Sequence, residues 1–272
     1  TPLYSSAASD VYKRQVMHLA AETVVEYSMT DPGRFFHTNV VYGINLLDTM
    51  LKHNVNKLIF SSTAAVYGDP KATPIEETHP LRPVNAYGES KLMFEQILQW
   101  YGQAYGLKSI SLRYFNAAGA SEEYGYDHHP ATLLIPVVLK VALGQSDYVP
   151  IYGTDYPTRD GTCLRDYIHV LDIASAHLLA LKHLASPGNK VYNLGNGEGY
   201  SVIEVIETAR RVTETEIPSR PCPRRAGDPV ALVASSTLAK TELGWQPRYP
   251  DLESIITSAW QWQRKHPHGY TK

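Results

Sequence analysis

The sequence predicts an α/β protein built on a doubly wound parallel sheet, with a smaller α/β portion at its carboxyl end. Three observations carry this. Short apolar runs alternate with longer stretches of helical period, in the order strand, helix, strand, helix, strand. The strand centres are consecutive apolar residues, as Leu-Ile-Phe is within residues 57–61 (KLIFS), the mark of strands covered on both faces. The 272 residues are 43% hydrophobic and 19% charged, which suits one large domain or two moderate ones with a real core.

The elements follow in order. Residues 1–15 (TPLYSSAASDVYKRQ) have no helical or strand period, and a buried-strand pattern then begins abruptly. The expectation is a non-native leader joined to a partial protein. Residues 16–19 read as a short strand. Asp31-Pro32 starts a helix, because Asp caps free N–H groups and Pro is tolerated at the first helical position. Phe35, Val40, Ile44, Leu47 and Leu51 carry that helix to about His53. Residues 57–61 form the second strand and end in a Ser/Thr/Ala turn. Residues 70–83 are loop. Asn85 caps a helix over 86–105 that ends at Gly106. Residues 109–115 are the third strand. After Gly119 the pattern loosens into a loop at 121–130, with helices at 133–143, 173–184 and 202–214. The expected division is 16–118 and 119–272.

Composition excludes several classes. Lys+Arg 25 against Asp+Glu 27 leaves a net charge of −2, which argues against a nucleic-acid groove or a basic membrane-binding face. Two cysteines, Cys163 and Cys222, cannot make a disulfide scaffold. The longest apolar run, residues 133–139, contains Pro136 and falls far short of the roughly 18 residues needed to span a bilayer. No signal-peptide core is present in the sequence, so a cytoplasmic location is expected.

The strongest chemical signal is Tyr87-Gly88-Glu89-Ser90-Lys91. On a helix, positions i and i+4 share a face, so a phenol and an ammonium stand side by side. A free phenol titrates at about 10. A neighbouring cation favours the phenolate, so Lys91 is expected to lower the Tyr87 pKa and make the pair a general base and acid for a substrate hydroxyl. Alone, this spacing equally fits an amphipathic helix with an incidental Tyr and Lys. Ser61-Ser62-Thr63 follows a strand at its carboxyl end, where open α/β sheets bind ligands. Tyr114-Phe115-Asn116 ends the next strand on the same edge, and Asn39 places an amide inward that needs a partner. Four residues invite a different reading. His18 has no second ligand at metal spacing and reads as a core histidine. His128-His129 reads as a solvated pair, and Cys163 as a small buried residue without a base to activate it.

The runs HLAA, NVVYGINLL, FSSTAAVYG, AYGESK, LRYFNAAG, DGTCLRDYIHV, YNLGNGEG, PRRAGDP and HPHGY together resemble the UDP-glucose 4-epimerases of the extended short-chain dehydrogenase/reductase family. The resemblance covers residues 16–270. It implies a Rossmann-like fold, NAD as cofactor, and interconversion of UDP-galactose and UDP-glucose in galactose metabolism. In that mechanism C4 of the sugar is oxidised, the 4-keto sugar rotates, and hydride returns. By the same resemblance Tyr87 is the base, Lys91 binds the nicotinamide ribose, and Thr63 is the catalytic hydroxyl. Ala20, Ala21, Asn39, Ser61, Ser62, Tyr114 and Phe115 line the cofactor. Asn116, Leu134, Tyr152, Arg165, Arg225, Asp228 and Leu232 contact the substrate, with the arginines on the diphosphate, Asp228 near the uridine ribose and Tyr152 at the uracil. No metal is implied. A homodimer is, through the helices spanning 39–51 and 86–105.

The chain also departs from the family pattern. It has no GxxGxxG ahead of its first strand, nor the acidic residue expected about 20 positions later. By the resemblance the first two βα units, roughly 60–80 residues, are missing. This chain is therefore expected to hold NAD weakly and to fold poorly, which leaves open a catalytically dead nucleotide-sugar-binding fragment. Leu133 stands where Asn or His is usual. Leu232 stands where some members have Tyr, which leaves room for an N-acetyl group. UDP-glucuronate and UDP-N-acetylglucosamine remain alternative substrates. Sugar-nucleotide dehydration is disfavoured because Thr63 is followed by Ala64-Ala65 and not by an acid pair.

Overall fold

The computed structural model describes residues 15–128, 130–184, 188–225 and 227–270. Residues 1–14, which make up most of the expected leader, and His129 lie outside the described residues.

The first strand, β1 (Val16–His18), is followed by helices α1 (Val25–Thr30) and α2 (Pro32–Phe36). A π-helical turn (His37–Val41) then leads into α3 (Tyr42–Lys52). The sequence predicted one continuous helix here. The reason for the break is legible: Phe35 and Val40 are five residues apart, one more than an α-helical face allows. The π turn absorbs the extra residue and buries Phe35, Asn39 and Val40 on one side. Next come β2 (Lys57–Thr63) and a 3-10 turn (Ala64–Tyr67). In α4 (Ala86–Tyr105), Asn85 Oδ1 accepts from the Gly88 N–H at 2.8 Å, and Gly106 closes the helix in the left-handed region, as predicted. β3 (Lys108–Tyr114) completes the regular alternation.

The chain continues through β4 (Asn116–Ala118), α5 (Leu134–Ala142), β5 (Val149–Tyr152), β6 (Leu164–Arg165) and β7 (Tyr167–His169). It then runs through α6 (Val170–His183), β8 (Asn189–Leu194), β9 (Tyr200–Ser201) and α7 (Val202–Thr213). The remaining elements are β10 (Ser219–Cys222), β11 (Ala231–Leu232), α8 (Thr237–Leu243) and α9 (Leu252–Lys265).

The main sheet has the order β1-β2-β3-β8, with every pair parallel. Both its faces are covered, as the KLIF run predicted. Leu58 and Phe60 pack with Leu47, Phe94 and Leu98, whereas Ile59 packs with Ile110, Ala176, Ala180 and Trp245. This corrects the expected division at residue 119. The second face is supplied by α6 and α8, and β8 adds the fourth strand, so the chain returns to the first sheet after leaving it. A separate core gathers around Val149, Val205 and Ile256 from β5, α7 and α9.

The start of α4 lies close against the turn after β2. A Cβ on Gly88 would stand 2.5 Å from the Ala65 carbonyl oxygen. Gly88→Ala is therefore expected to cost about 1–3 kcal/mol by overpacking. Urea titration checks this, and an unchanged midpoint would mean that the helix can retreat freely.

Burial holds three histidines in their neutral form: His18, down to about 4 with Lys91 adding to the effect, and His169 and His177, both below the usual range. An unfolded histidine titrates at about 6.5. As pH falls through that value the unfolded chain takes up protons that the folded chain does not, so stability falls. The urea midpoint is expected to drop between about pH 6.5 and pH 4, and to drop less in His18→Phe.

Candidate active site

The carboxyl ends of the parallel strands form one edge. His18 ends β1, Thr63 ends β2 beside Tyr114 at the end of β3, and Leu194 ends β8. Open α/β sheets bind ligands beyond this edge. Tyr87 and Lys91 stand over it because the start of α4 packs against the turn that follows Thr63, where Gly88 permits the close approach.

Lys91 is 3% exposed. Its Nζ donates to the Ser61 carbonyl at 2.9 Å, sits 4.8 Å from the centre of the Phe60 ring, and lies 6.0 Å from that of Tyr87. Burial pushes the Tyr87 phenol above its ordinary value, and a hydrogen bond with Thr63 pulls it back in part. This corrects the expectation that Lys91 lowers the Tyr87 pKa. The ammonium donates to the Ser61 carbonyl, and burial depresses Lys91 itself to about 8, opposed by the charge of Glu95. The lysine still carries its proton at neutral pH.

Ser61 and Ser62 point to opposite faces of the sheet, as alternate strand residues must. Ser61 Oγ and the Tyr114 hydroxyl lie 2.9 Å apart, and the same hydroxyl is 2.8 Å from His177 Nε2. Ser62 Oγ instead donates to Glu95 at 2.5 Å, in the buried layer beneath α4. The two serines therefore do not present side chains to one ligand, and the expected cofactor-lining role of the Ser62 side chain is corrected. The Asn39 amide, expected to line the cofactor, is engaged with the protein itself. It accepts from the Glu22 N–H at 2.8 Å and donates to the Glu22 carbonyl at 3.0 Å and Ser90 Oγ at 2.9 Å. Asn39 thus ties the loop carrying Ala20 and Ala21 to the helix carrying Tyr87.

The predicted substrate residues fall into two neighbouring groups. Arg165 donates to Asp228 Oδ1 at 2.9 Å, and Leu232 pairs with Arg165 across β11 and β6. The Arg225 guanidinium lies 3.8 Å from the centre of the Tyr152 ring at the end of β5. Cys163 joins the two groups: its buried thiol, pushed up by burial, feels the charges of Arg165, Asp228 and Arg225. Asn116 opens β4 and donates its N–H to the Asp166 carbonyl at 2.9 Å. Phe115 is buried with Ala64, Tyr67 and Leu92, and Leu232 packs against that cluster. Leu134, by contrast, packs against the carboxy-terminal core. His128 is exposed. A surface cleft of about 1000 Å³ lined by Ala120, Tyr249, Trp262 and Lys265 contains none of the predicted residues. Among the described residues no group of three or more His, Cys, Asp or Glu could hold a metal ion.

Sequence reasoning missed Glu95, Arg113, Tyr67 and His177. Glu95 left a signal: it continues the Tyr87, Lys91 spacing by four more residues. Arg113 left another, a charge inside an apolar strand. Nothing local pointed to Tyr67 or His177.

A parallel sheet with a Tyr/Lys pair at its carboxyl edge is the architecture of the short-chain dehydrogenase/reductase class. Within it, this chain belongs to the NAD dependent epimerase/dehydratase family, whose model matches residues 6–195. It is 52% identical over 259 residues to a UDP-glucose 4-epimerase of Halalkalibacterium halodurans, covering 94% of this chain and 78% of that one. It is 50% identical to a UDP-glucose 4-epimerase of Lacticaseibacillus casei over the same shares. It also superposes with a TM-score of 0.91 at 42% identity on the crystal structure of the Bifidobacterium longum UDP-glucose 4-epimerase in complex with NAD+ and UDP, covering 94% of this chain and 78% of that one.

Proposed function

We propose that this chain interconverts UDP-galactose and UDP-glucose with NAD as cofactor. The observation that carries the reading is the Thr63, Tyr87 and Lys91 grouping at the carboxyl edge of the parallel sheet, in a chain half identical to UDP-glucose 4-epimerases.

The edge suits the cofactor. Lys91 makes one hydrogen bond to the described residues, and an ammonium has three donors, which leaves a buried cation able to bind ribose hydroxyls. In this reading Ala20, Ala21, Ser61, Tyr114 and Phe115 line the cofactor, while Asn39 holds the Glu22 backbone to Ser90 and Ser62 holds Glu95. Bound NAD supplies a hydride acceptor for the sugar C4, a hydride donor to the opposite face, and a positive charge that favours the Tyr87 phenolate. Tyr87 takes the proton of the 4-hydroxyl and returns it after the 4-keto sugar has turned over. Thr63 shares a hydrogen bond with that oxygen, and Lys91 supplies a fixed charge beside it. Arg165 and Arg225 hold the diphosphate, Asp228 the uridine ribose and Tyr152 the uracil. Asn116, Leu134 and Leu232 shape the sugar end.

Along α4, Met93, Trp100 and Tyr105 are exposed, Trp100 to 68%, which favours pairing of two copies through α3 and α4. Sedimentation is expected to show a dimer, and a monomer at micromolar concentration would remove this part. The proposed location is the cytoplasm, where NAD and UDP-sugars are at hand and where both cysteines stay free thiols. Among the described residues no helix is long and apolar enough to cross a membrane.

The test compares this chain with the same chain carrying the dinucleotide-binding region of the Halalkalibacterium relative ahead of Val16. Each receives UDP-galactose and NAD, and UDP-glucose is followed. Turnover by both proteins supports the reading, and turnover by the extended protein alone would confine the activity to a chain that carries that region. An extended protein that folds and binds UDP but leaves UDP-galactose unchanged would overturn the substrate.

A further inference from the structure

Glu95 plays no part in the chemistry described above, yet it stands at the centre of a buried polar network. It is 4% exposed and follows Lys91 by four residues, so Tyr87, Lys91 and Glu95 form one stripe along α4. Its carboxylate accepts from Arg113 Nε at 3.0 Å and Arg113 Nη2 at 2.6 Å, and from Ser62 Oγ at 2.5 Å. Arg113 also donates to the Tyr67 hydroxyl at 2.8 Å, and that hydroxyl donates to Asn193 Oδ1 at 2.7 Å. The residues it gathers are immediate chain neighbours of the site. Ser62 precedes Thr63, Arg113 precedes Tyr114, and Tyr67 ends the turn that follows Thr63.

Resting on the role given to Lys91 above, we propose that Glu95 is a positioning residue of the active site. It locks the helix bearing Tyr87 and Lys91 to the strands bearing Thr63 and Tyr114, and it is the fixed counter-charge of Lys91. The groups facing Lys91 support this assignment. They are His18 from β1, the Phe60 ring and Ser61 carbonyl from β2, and Tyr87 and Glu95 from α4 itself. His18 is neutral and Tyr87 is a protonated phenol, so Glu95 supplies the negative charge of the set. A carboxylate held by an arginine and a serine cannot swing away, so the charge near Lys91 stays constant while substrate comes and goes.

A purely structural role predicts that any replacement restoring the packing restores everything. The experiment separates the two roles by following Lys91 itself in the full chain, through the ¹³Cε signal of labelled lysine, assigned by its loss in Lys91→Met. Glu95→Gln is expected to lower the Lys91 titration midpoint, raising the neutral-amine fraction at fixed pH about tenfold. Glu95→Asp is expected to recover most of the wild-type midpoint. Where Glu95→Gln alone fails to fold, Glu95→Gln with Arg113→Gln supplies a neutral amide pair. That double variant is expected to fold with the midpoint still lowered. A folded Glu95→Gln or double variant with the wild-type Lys91 midpoint overturns the proposal. The titration needs neither NAD nor sugar nucleotide. A lowered midpoint beside an inactive extended protein would therefore sink the proposed reaction and leave the counter-charge standing.

Discussion

Tyr87→Phe, made in the chain extended with a dinucleotide-binding region, is expected to reduce turnover of UDP-galactose about 10²- to 10⁴-fold, the usual worth of a positioned general acid–base. UDP binding is expected to stay the same. The phenol hydroxyl lies near enough to Thr63 at the sheet edge for that side chain to offset part of its burial. The ring makes an edge contact with Phe35, with ring centres 6.5 Å apart, which phenylalanine would keep. The residues assigned to the nucleotide lie on β5, β6 and the segment around Asp228, so losing one hydroxyl on α4 leaves them in place. Initial rates and calorimetric titration with UDP make the comparison. A variant that loses UDP binding along with turnover would mean that Tyr87 holds the fold. A variant that keeps its turnover would remove Tyr87 from the chemistry.

Arg113→Met is expected to lose about 3–5 kcal/mol of stability, the usual result of leaving one member of a buried ion pair without its partner. Arg113 is 3% exposed and Glu95 is 4% exposed, so water cannot replace the missing guanidinium. The carboxylate would keep only the Ser62 hydroxyl, and the Tyr67 hydroxyl, pushed up to about 12 mainly by burial, would lose its donor. Adding Glu95→Leu is expected to return most of the loss, because well-packed apolar residues replace such pairs at little net cost. Urea unfolding of the wild type, the two single variants and the double variant measures this as a cycle. A loss below about 1 kcal/mol for Arg113→Met would place the pair in the class of surface contacts.

The elements that sequence reading located well carry local signals. The Asn85 cap, the Gly106 stop and the Tyr87–Lys91 spacing all lie within one helix and answer to backbone geometry alone. Leu58, Ile59 and Phe60 announced burial on both faces because each is apolar, whichever side it meets. Other features carried a signal that a single-period reading passes over. The five-residue step from Phe35 to Val40 encodes the π turn, and strand alternation already separates Ser61 from Ser62. The division at residue 119 failed for a different reason. Nothing local in residues 170–194 says which sheet they will cover, and only the uncovered face of β2 and β3 decides it.

What this sequence determines by itself is therefore the inventory: parallel strands, their covering helices, and a phenol, an ammonium and a hydroxyl delivered to one edge. These follow from period, capping and strand polarity, which act over a few residues. The tertiary structure alone decides the electrostatics. Burial raises Tyr87 and lowers Lys91 against the direction that a simple cation–phenol pairing suggests, and Glu95 and Arg113, eighteen residues apart, meet under the helix. A proton's affinity depends on the water removed around it and on charges brought from distant segments, and neither quantity exists until the chain has packed.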